Sequence, residues 1–177
     1  WLREKADRIV GCVATHGHED HVGGLHYLLR ELSFPIFGSA VTLGLARNRI
    51  EEAGLLGKTE LVTVADGERR AIGPFDVEFI PVTHSVPYGI ATAFHTPQGV
   101  IMHSGDFKID QTPIDGQHFD LHRFAELGNE GVLALFADST NVDRRGFTGS
   151  EREVVDAFEE IFTSAGGRII VAAFASS

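Results

Sequence analysis

The sequence predicts an α/β fold in which α and β elements form separate layers (an α+β layering). Three features carry that prediction. Short β-rich runs alternate with amphipathic helical runs along the 177 residues. A hydrophobic content of 43% is enough for one domain with a sizeable core. Several strand candidates follow one another between residues 60 and 103, most simply as an antiparallel stretch.

Taken in order, the apolar run Ile9-Val10-Gly11-Cys12-Val13-Ala14 reads as the first strand. Leu25, Leu28, Leu29 and Leu32 recur at i, i+3, i+4 and i+7, so residues 21–32 are expected to form a helix with one apolar face. A weaker helical pattern covers 40–53. Strand candidates follow at 60–64, 69–72, Phe75 to Val82, Ile90 to His95 and Val100 to His103, punctuated by Asp66-Gly67, Gly73-Pro74 and Pro97-Gln98-Gly99. Residues 120–128 read as a helix and Val132 to Ala137 as a strand. Ser150-Glu151-Arg152-Glu153 has the form of a capping box, and Val154, Val155, Phe158, Ile161 and Phe162 stripe the helix behind it. Gly166-Gly167 ends that helix, and a last strand is expected from Arg168 to Phe174. No internal repeat or low-complexity linker is visible.

Composition narrows the function classes. Cys12 is the single cysteine, which excludes a disulfide framework and fits a reducing compartment. No run approaches the ~18 uninterrupted apolar residues of a membrane span, and no signal-like segment opens the chain. A cytoplasmic protein without a membrane association is the expectation. A formal net charge of −10 ordinarily argues against nucleic-acid binding. Part of it, however, lies on carboxylates that bound cations would neutralise.

The chemistry concentrates in His16-Gly17-His18-Glu19-Asp20-His21, an H-x-H-x-D-H cluster between the first strand and a helix. Two histidines two apart at a strand end can turn into one cavity, and Asp20 and His21 can reach a second point across it. Imidazole and carboxylate suit zinc or manganese, and the lack of neighbouring cysteines argues against a closed structural zinc site. The alternative, a histidine-rich metal-scavenging tract, is biased over longer stretches and does not sit between a strand and a helix. His84, after Phe79 to Thr83, offers a third imidazole to the ion of His16 and His18. Alone, such a histidine is more often a hydrogen-bonded loop residue. In Ser104-Gly105-Asp106 the glycine lets the backbone turn tightly and present a carboxylate. Placed between two cations, a carboxylate bridges them at about 3.5–4 Å. By itself it would be an ordinary Gly-Asp turn. Asp138 follows Val132 to Ala137, so all these groups arrive at strand ends, as a convergent site requires.

His16 to His21 together with His84 and Asp106 resembles the metallo-β-lactamase superfamily. Ser104-Gly105-Asp106-Phe107-Lys108-Ile109-Asp110, Asp138-Ser139-Thr140-Asn141 and Gly146-Phe147-Thr148-Gly149-Ser150-Glu151 resemble the ribonuclease J family among the β-CASP nucleases. That resemblance implies a partial metallo-β-lactamase αββα sandwich over 1–167. Residues 168–177 would then start the crossover into a β-CASP domain absent from this chain. It also implies two divalent ions, zinc or manganese, with His16, His18 and His84 on one, Asp20 and His21 on the other, and Asp106 between them. Asp20 would also orient the attacking hydroxide. Asp138 would orient a histidine from the absent domain, with Ser139 and Thr140 beside the substrate phosphate. The D-S-T run reads equally as an Asx or ST turn.

The implied function is hydrolysis of RNA phosphodiester bonds, from a 5′ end or internally, with RNA as partner and a homo-oligomer in the full-length protein. Family members carry an Asp-Ala-Gly turn ahead of the metal loop and a late histidine that completes the second metal's ligands, so this sequence reads as a fragment. Thr83-His84-Ser85-Val86-Pro87-Tyr88 departs from the Asn common before that histidine and the Asp common after the following proline, and His26 stands where proline is common. Arg144-Arg145 is the one compact basic element near Asp138, either an RNA phosphate contact or a solvated loop. Two other classes compete. A small thioester or lactam hydrolase would share the metal loop but not the Ser104 to Asp110 and Asp138 to Asn141 segments. A non-catalytic module would show a broken ligand set.

Overall fold

A computed structural model describes residues 1–173. Three short strands, β1 (Cys12–Val13), β2 (Ile36–Gly38) and β3 (Leu61–Thr63), pair in parallel in that order. Parallel strands need long crossovers, and helices α1 (Glu19–Val22), α2 (Leu25–Leu29) and α3 (Ala40–Glu52) supply them. Ser39 starts α3 by accepting the Thr42 amide at 3.3 Å.

The second sheet is an antiparallel meander, β4 (Arg69–Ile72), β5 (Phe75–Val82), β6 (Gly89–Thr96) and β7 (Gly99–His103), extended by β8 (Val132–Phe136) parallel to β7. The β7–β8 crossover contains α4 (Leu121–Glu130), whose first turn is capped by Asp120 accepting the Arg123 amide at 2.9 Å. Helix α5 (Arg152–Ser164) follows.

Three buried clusters set the layers. Val22, Leu25, Leu29, Leu43, Ala46 and Ile50 pack the first helices onto Ile36 of the first sheet. Phe37, Val64, Ile72, Val77, Phe79 and Ile90 fill the space between the two sheets. Ile80, Val82, Ala93, Met102, Phe119 and Leu127 bury the far face of the second sheet under α4. The side chains of β5 alternate between the last two clusters, Val77 and Phe79 to one face and Ile80 and Val82 to the other, with the period of two that a strand imposes. The layer order is therefore αββα. Glu78 is buried on the α4 side, a position that a carboxylate tolerates only when paired. Arg123 supplies that pair at 2.6 and 3.1 Å, and His95 Nε2 lies 2.9 Å away.

Several expectations are corrected here. The helix expected over 21–32 is two short helices broken at Gly23-Gly24, because paired glycines weaken a helix interior. Its apolar face is nonetheless inward, with Leu25, Leu29 and Leu32 buried. The first strand pairs only over Cys12–Val13 rather than 9–14. Strand β2 has no counterpart in the sequence reading, since Ile36-Phe37-Gly38 between Pro35 and Ser39 is too short a run for periodicity to show. Strand β3 joins the parallel sheet rather than the antiparallel stretch. The capping-box serine accepts the Arg152 amide at 3.2 Å, one residue earlier than the motif predicts. The strand expected from Arg168 forms no ladder through residue 173, and Phe174, like the rest of the 168–177 crossover segment beyond it, lies outside the described residues. No helix among the described residues is long and apolar enough to cross a membrane.

Candidate metal centre

The centre is built where strands of both sheets end on the same side. Just past β1, the Ala14 amide donates to the Phe37 carbonyl at 2.8 Å, and the Thr15 carbonyl accepts the Ile90 amide of β6 at 2.8 Å. The loop that follows is thereby tied to both sheets. His16 is 1% exposed. His18 stands at the N-cap of α1, its carbonyl accepting the His21 and Val22 amides, so His21 returns one turn later toward the same cavity. His84 leaves the end of β5 and Asp106 the end of β7.

The predicted residues His16, His18, His21, His84 and Asp106 are brought together. Asp106 Oδ2 lies 3.4 Å from His21 Nε2, 3.8 Å from His16 Nε2 and 3.9 Å from His84 Nε2. His84 Nε2 is 3.1 Å from His18 Nδ1. Two donor sets emerge, His16 with His18 and His84, and His16 with His21 and Asp106, each with its ligand atoms within 4.8 Å of one another. Ligand atoms around one tetrahedral ion with bonds of ~2.0–2.1 Å stand roughly 3.3 Å apart. The cluster has that scale.

Asp20 is the exception. It opens α1, its side chain is 79% exposed, and although its Oδ2 approaches His21 Nε2 at 3.6 Å it joins neither donor set. The pairing of Asp20 with His21 expected from the sequence is replaced by His21 with His16 and Asp106, because a carboxylate in the first turn of a helix is satisfied by water and by the helix N-terminus.

The residues fit a cation on a direct test. His16 Nε2 is buried and has no hydrogen-bond partner among the described residues, a costly state for a ring nitrogen. Thr15 Oγ1 lies 3.1 Å from its other nitrogen, so Nε2 is the atom left facing the cluster. Burial first, and then the neighbouring imidazoles of His21, His84 and His18, lower the His16 pKa to about 3. His84 is lowered too, by burial first and then by His18, against the opposing pull of Asp106 and Asp138. Both rings are neutral near pH 7, the protonation state a divalent cation requires.

The softer expectations fare differently. Asp138 Oδ1 accepts the Thr140 amide at 2.9 Å and the Thr140 hydroxyl at 2.6 Å, and Oδ2 faces the Phe107 amide at 3.5 Å. Burial would raise this carboxyl, but the Thr140 hydroxyl, the Thr140 and Phe107 amides and His84 hold it below the usual range. The Asx-turn reading of Asp138-Ser139-Thr140 is thus realised in the hydrogen bonds. Ser139 and Thr140 are exposed beside it.

Sequence reading missed the supporting hydroxyls. Thr15 lies against His16, Ser85 Oγ lies 3.3 Å from His18 Nε2, and buried Ser104 accepts the Asp138 amide at 2.9 Å. Their signal is adjacency, since each precedes or follows a predicted ligand or its turn.

Comparison with known proteins agrees with this geometry. The Metallo-beta-lactamase superfamily matches residues 1–172. A protein named Ribonuclease J from Synechocystis sp. is 50% identical over 179 residues, covering 100% of this chain and 28% of its own length. Proteins of the same name are 41% identical over 180 residues in Helicobacter pylori (100% of this chain, 26% of that protein) and 43% identical over 183 residues in Thermus thermophilus (99% and 32%). The chain therefore spans only 26–32% of these relatives. Among solved structures, a protein of unknown function from Enterococcus faecalis V583 superposes with a TM-score of 0.61 at 15% identity, over 86% of this chain and 38% of its own. Zn2+-bound PqqB from Methylobacterium extorquens does so with a TM-score of 0.54 at 16% identity, over 72% and 45%. Both share the fold.

Proposed function

The chain belongs to the metallo-beta-lactamase superfamily, and from that premise we propose that it forms the metal-binding part of a metal-dependent ribonuclease akin to ribonuclease J. The observation that carries the reading is the convergence of His16, His18, His21, His84 and Asp106 around the unpartnered His16 Nε2. The relatives supply the substrate class, RNA.

In this reading His16, His18 and His84 would hold one divalent cation, and His21 and Asp106 would hold a second, with Asp20 beside His21 at the exposed edge. When bound, such ions make water acidic enough to attack phosphorus near neutral pH and neutralise charge on the phosphoryl oxygens. The chain's own residues do the rest. The neutral imidazoles of His16 and His84 present lone pairs without first losing a proton. Asp106 places a carboxylate at the midpoint of the cluster, which fixes the spacing of the donor sets. Asp20, standing in solvent at the cavity mouth, orients the incoming water and takes its proton. Ser139 and Thr140 line the approach of the phosphate, and Asp138, anchored by its turn, is the group that would position a histidine from another part of the full-length protein. Arg144-Arg145, a few residues further along the chain, is the basic pair that would meet RNA phosphates. Zinc suits this donor set, with manganese as the alternative. The full-length protein is proposed to work in the cytoplasm as a homo-oligomer, cleaving from a 5′ end or internally.

The test begins with metal content by mass spectrometry on the purified chain and on a His18→Ala, Asp106→Ala double variant. About two ions per chain, lost in the variant, are expected for a two-metal centre. Full-length protein is then given 5′-labelled and internally labelled RNA alongside a chromogenic thioester and a cephalosporin. Cleavage of RNA alone supports the reading, whereas turnover of the small substrates with RNA untouched selects the small-molecule hydrolase instead.

A further inference from the structure

The strand end bearing His84 and the loop bearing Asp106 are joined by one buried hydroxyl. Thr83 immediately precedes His84, and Lys108 lies two residues past Asp106; the two segments meet in an isolated antiparallel bridge. The Lys108 amide donates to the Thr83 carbonyl at 2.8 Å. The Thr83 hydroxyl, on a residue only 7% exposed, donates to the Lys108 carbonyl and accepts the Asp110 amide at 3.3 Å. A hydroxyl has one proton to give and lone pairs to receive with, and here both roles cross to the same loop.

The far side of that loop is fixed as well. Asp110 accepts the Thr112 amide at 2.9 Å and the Glu151 amide at 3.0 Å, while the Lys108 ammonium sits 3.6 Å from Asp110 and pairs with Glu151. Asp106, by contrast, has only the imidazoles of the cluster beside its carboxylate among the described residues. Its place is therefore set by the backbone on either side of it.

We infer that Thr83 is a positioning residue, whose hydroxyl sets the separation of His84 and Asp106 by locking β5 to the loop after β7. This rests on the reading of both as metal ligands. An ordinary buried threonine would satisfy local backbone groups and affect stability alone. A positioning hydroxyl must also alter how the centre holds an ion.

Thr83→Val keeps the shape and removes the hydroxyl, and Thr83→Ser keeps the hydroxyl. Zinc affinity by chelator competition and the visible spectrum of the cobalt-loaded chain are read for both, beside circular dichroism of the fold. The valine variant is expected to lose about 10–100-fold in affinity with a shifted cobalt spectrum, and serine to restore both. Parental affinity and spectrum in a folded valine variant would overturn the inference while leaving the centre intact. A parent chain that takes up no metal would overturn the centre and the inference together. Should the valine variant not fold, amide exchange in the parent decides: metal loading slows the Lys108 and Asp110 amides if the clamp and the centre are coupled, and unchanged exchange overturns it.

Discussion

Gly105 shows how much one missing Cβ contributes to the centre. Its φ is +62°, and a Cβ there would fall 3.0 Å from the Ile90 carbonyl and 3.1 Å from the Thr15 Cβ. The sequence reading asked for a glycine that turns the backbone ahead of Asp106, and the left-handed φ is that turn. Gly105→Ala is expected to cost about 1–3 kcal/mol in denaturant unfolding and to weaken metal uptake, since strain and displacement both fall on Asp106. Asp110 provides the pH signature. Burial would raise its carboxyl, but the amides of Thr112 and Glu151, the Ser150 hydroxyl and Lys108 hold it down at about 2. A depressed carboxylate stabilises the fold fully above the ordinary pKa of about 3.9 and loses that contribution as pH falls through its folded value. The melting temperature of Asp110→Asn should therefore lie furthest below the parent's near neutral pH. The gap should close progressively below about pH 4, and a gap independent of pH would refute the account.

Elements were legible in proportion to the length of their pattern. Strands β5 to β7 and helix α4 carry eight-residue or longer alternation or capped amphipathic runs, or lie next to one that does, and they form as read. Strand β2, three residues long, carries no period at all; the partners on either side of it define it. The same logic ranks mutations. Phe79 is fully buried between the sheets, and Phe79→Ala is expected to cost about 3–5 kcal/mol because the cluster between the sheets loses contacts and the rigid sheets do not collapse into the gap. Asp120→Ala removes only the cap of α4 and should cost about 1 kcal/mol. Chemical denaturation of the two variants side by side checks the order, and equal losses would contradict it.

At the scale of the molecule, the apolar groups are unevenly distributed. Leu133, Leu135 and Phe136 of β8 are 58–60% exposed, and α5 contributes no buried residue. Large apolar side chains left exposed in this number favour association in water. The 177-residue chain is expected to sediment with a concentration-dependent mass that Leu135→Ser with Phe136→Ser lowers; a monomer at every concentration would disprove this. The stripe of Val154, Val155, Phe158, Ile161 and Phe162 predicted an amphipathic helix correctly, yet sequence periodicity says only that a face is apolar, not that anything covers it.

The sequence by itself determined the chemistry on offer and the layers. Ligand-type side chains at strand ends need no alignment to be recognised, because strand ends are where a sheet delivers side chains to a shared edge, and alternation along β5 dictates that both faces be covered. Only the tertiary structure decided which ligands meet. His84 and Asp106 lie 22 positions apart in sequence, and each is far from His16; their approach within 3.8–3.9 Å of one another or of His16 depends on sheet register and on bridges such as Thr83 to Lys108. It also decided that Asp20 stands in water while His21 turns inward, and that Asp138 is held by its own turn. Those outcomes depend on the direction of single side chains in a packed interior, a long-range property that neighbouring residues along the chain do not encode.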